Sequence, residues 1–456
     1  MEFFRGLARL WHHKLFRQLV VVRIGTQASD GILQVGMAAY VLFSPQNQPD
    51  AASIALVLAI TLLPFSIVGP FVSLTLDRFN RRQVAVVTDI IRVLIAGMLG
   101  VLVLNPNLRE HWSMWLFYGG VLVAMSLNRY LLAGLSAALP HTVDEDEYLI
   151  ASSVMPTIGP SGVLIGAALA FAIRFVAGNV MESYQADAII FLTSAAGFAI
   201  TVLLALRIPR RALGPDLDSV EARTTPARDV VQGLAHAVGH LGERRPAAVG
   251  LVTIGAQRII YGMTWVATIL LFRNHFHAVD DVDSAMRDIG LWAGATGVGF
   301  VASAAVVPPL ARRMGVRRAI VVFLVAAGVL QIVPGSVFTL PTLVAAGLGL
   351  GLCSQALKIC VDTLVQAHVD DDFKGRVFTI YDMIFNACLV IASVIVALTF
   401  PADGHTVTGF VLLGALLIGV GVIFWIRSAR IGSTAFDRGT EFDPGTPHAA
   451  VGKNAG

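Results

Sequence analysis

The sequence predicts an all-α membrane protein with 12 transmembrane helices in two pseudo-symmetric six-helix bundles. Three observations lead there. Of the 456 residues, 56% are hydrophobic and only 14% charged, where a soluble chain carries about a quarter charged. Apolar runs recur along the whole chain, each long enough to cross about 30 Å of hydrocarbon. A short arginine-rich turn separates two of these runs, and a similar turn occupies the same place in the second half. A helix is the only open-ended element that satisfies its own backbone inside lipid, so each run is read as a helix.

Taken in order, residues 1–14 form a basic N-terminus. The first run, 15–43, lacks a small-residue cleavage site and reads as a retained helix. Runs at 51–76, 83–104, 112–139, 149–176 and 186–206 complete an N-terminal bundle over 15–206. The segment 207–246 is polar and basic and reads as a linker. Inside it Val231, Leu234, Val238 and Leu241 recur at helical spacing, which predicts an amphipathic helix on the membrane surface. His236 and His240 stand four apart on it; a solvated helix face is the simpler reading than a metal site. Runs at 247–272, 286–310, 319–338, 342–367, 376–400 and 407–428 form a C-terminal bundle over 247–428. The tail, 429–456, is expected to be disordered.

Arginine sets the orientation. With the N-terminus inside, Arg78, Arg81 and Arg82, the linker arginines, Arg312, Arg313, Arg317, Arg318 and Arg376 all fall on the cytoplasmic side. The opposite side holds only Arg109, Arg174, Arg273 and Arg287. Both termini are therefore expected in the cytoplasm. Of the 33 cationic residues, only Lys14, Lys358, Lys374 and Lys453 are lysines. Such arginine bias points to a GC-rich bacterial genome, and so to the cytoplasmic (inner) membrane. Cys353, Cys360 and Cys388 lie in apolar runs without a CxxC pair, so neither a disulfide nor a zinc site is expected. The net charge of +3 gives no reason to expect nucleic acid.

The turn itself carries a family resemblance. The stretch 74–92, with Asp77, Arg78, Asn80, Arg81 and Arg82 followed by Asp89 and Arg92, resembles the conserved loop of the major facilitator superfamily, and more closely its macrolide-efflux and enterobactin-exporter branch. The segments LPHTVDEDEYLIASS (139–153) and VQAHVDDDFKGRVF (365–378) are similar too. The resemblance implies a transporter with no cofactor that works by alternating access. It also implies that Asp77 and the neighbouring arginines brace the cytoplasmic gate, with Arg78, Arg81, Arg82, Asp89 and Arg92 as its ion-pairing set. Asn80 stands where the family has glycine; asparagine tolerates left-handed backbone. In the second copy, LARRMGVRR (310–318), Arg312 replaces the aspartate. The antiporter signature of the fifth span is half present in TIGPSGVLIG (157–166).

Charges at membrane depth are costly and mark functional positions. The first span carries Arg23, Gln27, Asp30 and Gln34 on one face. The seventh carries Gln257, Arg258, Tyr261 and Trp265, and the tenth Gln355, Lys358 and Asp362. These residues are expected to line a substrate cavity, a place the resemblance alone supplies. Asn128 and Arg129 lie in the fourth span, and Asp382 in the eleventh has no assigned role. Asp30 is the candidate proton site, with Arg23 or Arg129 as its ion-pair partner; a permanent pair that only holds helices together is the competing reading. Lys358 and Asp362, four apart, also fit a plain intrahelical pair. Met37, Tyr40, Phe65, Tyr130 and Phe385 offer further apolar contacts.

Function follows as three alternatives. The first is proton-coupled export of an amphipathic small molecule, such as a drug, macrolide or siderophore-like compound. The second is proton-coupled import of a nutrient. The third is a transport-dead sensor or scaffold. No phosphate-binding GxxxxGK[ST] stretch or nucleophile–base pair is present, so an enzyme is not expected. The expected partners are the bilayer, protons and a small-molecule substrate, and the chain is expected to act as a monomer.

Overall fold

The computed structural model describes residues 10–42, 51–67, 71, 79–105, 111–144, 147–178, 180–214, 227–278, 281–333, 335–438 and 440. These residues hold 13 α-helices and no strand: α1 (Lys14–Leu42), α2 (Ala51–Ile67), α3 (Arg81–Leu104), α4 (His111–Ala137), α5 (Tyr148–Gly178), α6 (Ser183–Leu206), α7 (Ala227–Glu243), α8 (Arg245–Leu270), α9 (Val282–Met314), α10 (Val316–Ile332), α11 (Leu340–His368), α12 (Asp371–Thr399) and α13 (Val407–Ile431). Each expected span falls on one of them. α7 carries Val231, Leu234, Val238 and Leu241. Nine helices among the described residues are long and apolar enough to cross a membrane. α2 and α10 stop at 17 residues, and α1 spends its hydropathy on a polar face. Asp77 and Arg78 lie outside the described residues.

The chain divides into two units, residues 1–48 with 56–230 and residues 49–55 with 231–456. In the first, α1 packs on α5 and α6, and α3 on α4 and α6. In the second, α8 packs on α12 and α13, and α10 on α11 and α13. The same pairings recur seven helices later, with the linker helix α7 between them, so each unit is a copy of one packing scheme. Close crossings are made by small residues. A Cβ at Gly166 would lie 1.9 Å from the Ala28 carbonyl oxygen, and one at Gly31 would lie 2.3 Å from that of Val163. The glycines of the half-present fifth-span signature therefore have a packing task at the α1–α5 crossing.

The described end of the charged turn is a helix cap. Asn80 has φ −60° and ψ 122° and accepts a hydrogen bond from the Arg82 amide (3.0 Å). The left-handed backbone expected of it is not used; an extended N-cap serves instead. The Arg81 amide donates to the Gly214 carbonyl (3.1 Å), Arg81 Nη1 to Leu213 O (3.2 Å) and Arg82 Nη2 to Leu206 O (3.0 Å). These arginines cap the end of α6 and the start of the linker.

The second copy of the turn lacks such a cap, because Gly315 (φ 82°) precedes α10 without a side chain. The tail supplies one. After α13, Ser433–Ala435 form a 3₁₀ turn, and Phe436 is fully buried against Phe424. Asp437 Oδ1 then accepts the Arg317 amide hydrogen bond (3.3 Å), and His368 Nε2 lies 2.7 Å from Ala435 O. The expectation of a disordered tail is thus corrected for residues 432–438: burying a phenylalanine and capping a helix outweigh the polar composition. Asp437→Asn keeps the shape and loses the charge at the helix N-terminus. It should lower stability by about 1 kcal/mol, measured as a lower melting temperature of the purified protein. An unchanged melting temperature would show that the charge adds nothing to the hydrogen-bonded cap.

Candidate functional site

The first unit contains a charge cluster sealed from solvent. Thr26 and Asp30 lie one turn apart on α1 and face the same way; Asp89 and Arg92 do so on α3. Asp30, Asp89 and Arg92 are each fully buried. Arg92 Nη2 is bonded to Asp30 Oδ1, and Arg92 Nη1 lies 3.2 Å from Asp89 Oδ1. Arg92 Nη1 also donates to Thr26 Oγ1 (2.9 Å), and its guanidinium sits 4.0 Å over the Phe198 ring of α6. Gln34 Nε2 (2.7 Å) and Asn128 Nδ2 of α4 (2.9 Å) donate to Asp30 Oδ2. The hydroxyls of Thr26 (3.0 Å) and Thr201 of α6 (2.7 Å) donate to Asp89. Two carboxylates face one guanidinium. The cluster therefore carries one net negative charge with both acids ionised, and none when one proton is bound.

This arrangement corrects two expectations. Asp89 and Arg92 do not join Arg81 and Arg82 at the turn; α3 carries them two to three turns deeper, to the level of Asp30. The cation on Asp30 is Arg92 rather than Arg23 or Arg129. Arg23 donates to Ser136 Oγ (3.1 Å). On α4 it is Asn128, the neighbour of Arg129, that reaches Asp30. Gln27 meets Asn128 at 3.5 Å. Thr26, Thr201 and Phe198 were not foreseen. Thr26 lay in plain view four residues before Asp30, but Phe198 and Thr201 come from a helix more than 160 residues away.

The second unit places a looser group on α8, α11 and α12. Arg258 donates from Nη1 to Ser354 Oγ (3.2 Å), and its guanidinium lies 3.6 Å over the Phe385 ring and 5.4 Å from that of Tyr261. Lys358 Nζ bonds Asp362 Oδ2 at 2.7 Å, the intrahelical pair that the spacing allows, and lies 5.2 Å from the Tyr381 ring. Gln355 is half-buried on the same face of α11. The Lys358 and Asp362 side chains are 30% and 26% exposed, so this group is open to a ligand where the first cluster is not. Trp265 departs from it and packs on Trp292 (5.8 Å). Tyr40 likewise packs on Phe117 (4.9 Å).

The linker helix ends against the start of α12. Arg244 Nη2 donates to both Asp370 oxygens (2.8 and 2.7 Å), and the His240 ring stacks on Phe373 at 4.3 Å. The hydrogen bond from Arg244 holds the Asp370 carboxyl below the usual carboxylate range. A depressed folded-state value means that this contact is intact at neutral pH and is lost only as the pH falls through that lowered value. Elsewhere, His13 Nε2 lies 2.7 Å from Glu147 Oε2 and 3.9 Å from Asp144 Oδ2, tying the start of α1 to the acidic segment before α5.

No protein-family model matches the chain. It is 31% identical over 425 residues to MFS-type transporters of Mycobacterium tuberculosis and Mycobacterium bovis, covering 93% of each chain. The chain belongs to the major facilitator superfamily. Solved transporter structures share the fold. The nucleoside transporter NupG aligns at TM-score 0.63 and 13% identity, over 91% of this chain and 99% of its own. A POT family transporter in complex with 5-aminolevulinic acid aligns at 0.66 and 12%, over 91% and 96%. The proton:xylose symporter XylE aligns at 0.56 and 12%, over 90% and 95%. This superfamily member is thus a multi-pass membrane transporter and not an enzyme.

Proposed function

We propose that this transporter couples protons to the export of an amphipathic small molecule across the bacterial cytoplasmic membrane, with both termini inside. The observation that carries the coupling is the odd charge count of the Asp30–Arg92–Asp89 cluster. Two acids on one arginine, fully buried, leave one site that is satisfied by a proton. Opening the cluster to water on one side and then the other, by alternating access, turns that proton into a passenger. Export rather than import rests on the turn 74–92 and its likeness to the macrolide-efflux and enterobactin-exporter branch. Import of a nutrient is the second reading. It is favoured by the half-present fifth-span signature, whose glycines have a packing task of their own at the α1–α5 crossing.

The test is accumulation of fluorescent amphipathic compounds in oriented vesicles. Everted vesicles energised acid-inside should accumulate at least one compound, and collapsing the pH gradient should release it. Accumulation only in right-side-out vesicles would establish import. No gradient-dependent movement in either would leave a non-transporting scaffold.

A further inference from the structure

We propose that the group around Arg258 binds the anionic head of a substrate whose body is aromatic or otherwise apolar. The inference rests on the transport reading and deepens it. Its ground is an imbalance of charge. Several other cations at membrane depth have acids, whereas Arg23, like Arg258, bonds a serine hydroxyl. Arg92 has Asp30 and Asp89, and Arg174 has Asp187 at 3.3 Å. Lys358 has Asp362, so that pair is neutral as a whole. Arg258 has no carboxylate within ion-pair distance among the described residues; its hydrogen bond goes to a neutral serine hydroxyl. Arg258, Lys358 and Asp362 together therefore carry one net positive charge.

A guanidinium taken out of water without a counter-charge is costly. Stacking on Phe385 offsets part of that cost. It also fixes the plane of the guanidinium, which pre-organises the donors. Nη1 is used by Ser354, while Nε is buried and has no hydrogen-bond partner. Nε is covered in this conformation, so an incoming group that reaches it as the helices part satisfies a donor that nothing else among the described residues satisfies. A planar anion with two oxygens, a carboxylate above all, matches the Nε–Nη2 edge with two parallel charge-assisted hydrogen bonds. Phe385, Tyr261 and Tyr381 surround the position with ring faces and edges, which suits an apolar body and gives a hydrated inorganic anion little to hold. A cationic ligand meets the opposite situation beside Arg258, since Asp362 is already paired with Lys358.

The test uses full-length protein in lipid nanodiscs and three probes of one shape: 2-naphthoate, 2-naphthylmethanol and 2-naphthylmethylammonium. Equilibrium dialysis should show 2-naphthoate binding at least about tenfold more tightly than either of the others. Arg258→Gln should bring 2-naphthoate down to the affinity of the alcohol and leave the alcohol unchanged, which also shows that the variant is folded. Arg258→Lys, a point charge without the planar edge, should restore only part of the preference. The proposal is overturned if the ammonium probe binds as well as the carboxylate, if Arg258→Gln keeps the preference, or if 2-naphthoate shows no saturable binding. Binding of 2-naphthoate without its movement in vesicles would uphold this site and sink the transport reading instead, so the two fail separately.

Discussion

Arg92→Met is expected to cost about 3–5 kcal/mol of stability, enough to empty the membrane of folded protein. The substitution keeps most of the side-chain volume and the apolar contact with Phe198. It removes the one cation shared by Asp30 and Asp89, both fully buried. The two carboxylates would then face each other across α1 and α3 with only neutral donors, and two like charges cannot both stay ionised at that distance. Thr26 would lose its donor as well. Charge, not shape, is the cause, and a rescue isolates it. Combining Arg92→Met with Asp30→Asn and Asp89→Asn leaves the cluster neutral and should recover most of the melting temperature lost. If Arg92→Met alone melts within about 2 °C of the parent protein in detergent, the cluster is not what joins α1 to α3.

How much of this was legible beforehand differs between the two units. On α11 the ion pair was readable because it is local: Lys358 and Asp362 are four apart, and a helix brings such residues together whatever surrounds it. The polar face of α1 was readable for the same reason. The partner of Asp30 was not. Asp89 and Arg92 are only seven and ten residues beyond Arg82, and their spacing of three already explains them as a pair within α3. Nothing in the spacing says that α3 lies beside α1 at the level of Asp30; that follows from how the helices pack. The cap on α10 was hidden more deeply. Gly315 announces a missing cap, but the carboxylate that supplies it, Asp437, lies 120 residues from Arg317 in a polar tail. The family was readable from one turn, whereas its finer branch rests on that resemblance alone.

Within the cluster, hydrogen-bond polarity decides which acid holds the proton. Asp30 is surrounded by groups that donate: the Arg92 guanidinium, Gln34 Nε2 and Asn128 Nδ2. A protonated carboxyl needs an acceptor, and as the Gln34 and Asn128 amides are oriented, the described groups bonded to Asp30 all donate. Asp89 is bonded to the hydroxyls of Thr26 and Thr201. A hydroxyl rotates and either donates or accepts, so Asp89 can take a proton with no movement of heavy atoms. On the proposed coupling, the proton that the sequence alone would place on Asp30 is therefore expected on Asp89, with Asp30 remaining the charged partner of Arg92. Asp89→Asn mimics the protonated state. It leaves a neutral Asp30–Arg92 pair, so the protein should fold and bind substrate within a few fold of the parent. It should abolish uphill transport driven by a pH gradient in proteoliposomes while sparing downhill exchange. Asp30→Asn should behave differently: it removes the charge facing Arg92 and replaces one of two accepting oxygens by a donor, and the loss should appear first in stability. Uphill, gradient-driven transport by Asp89→Asn would return the proton to Asp30, and the same result in both variants would remove the cluster from the coupling altogether.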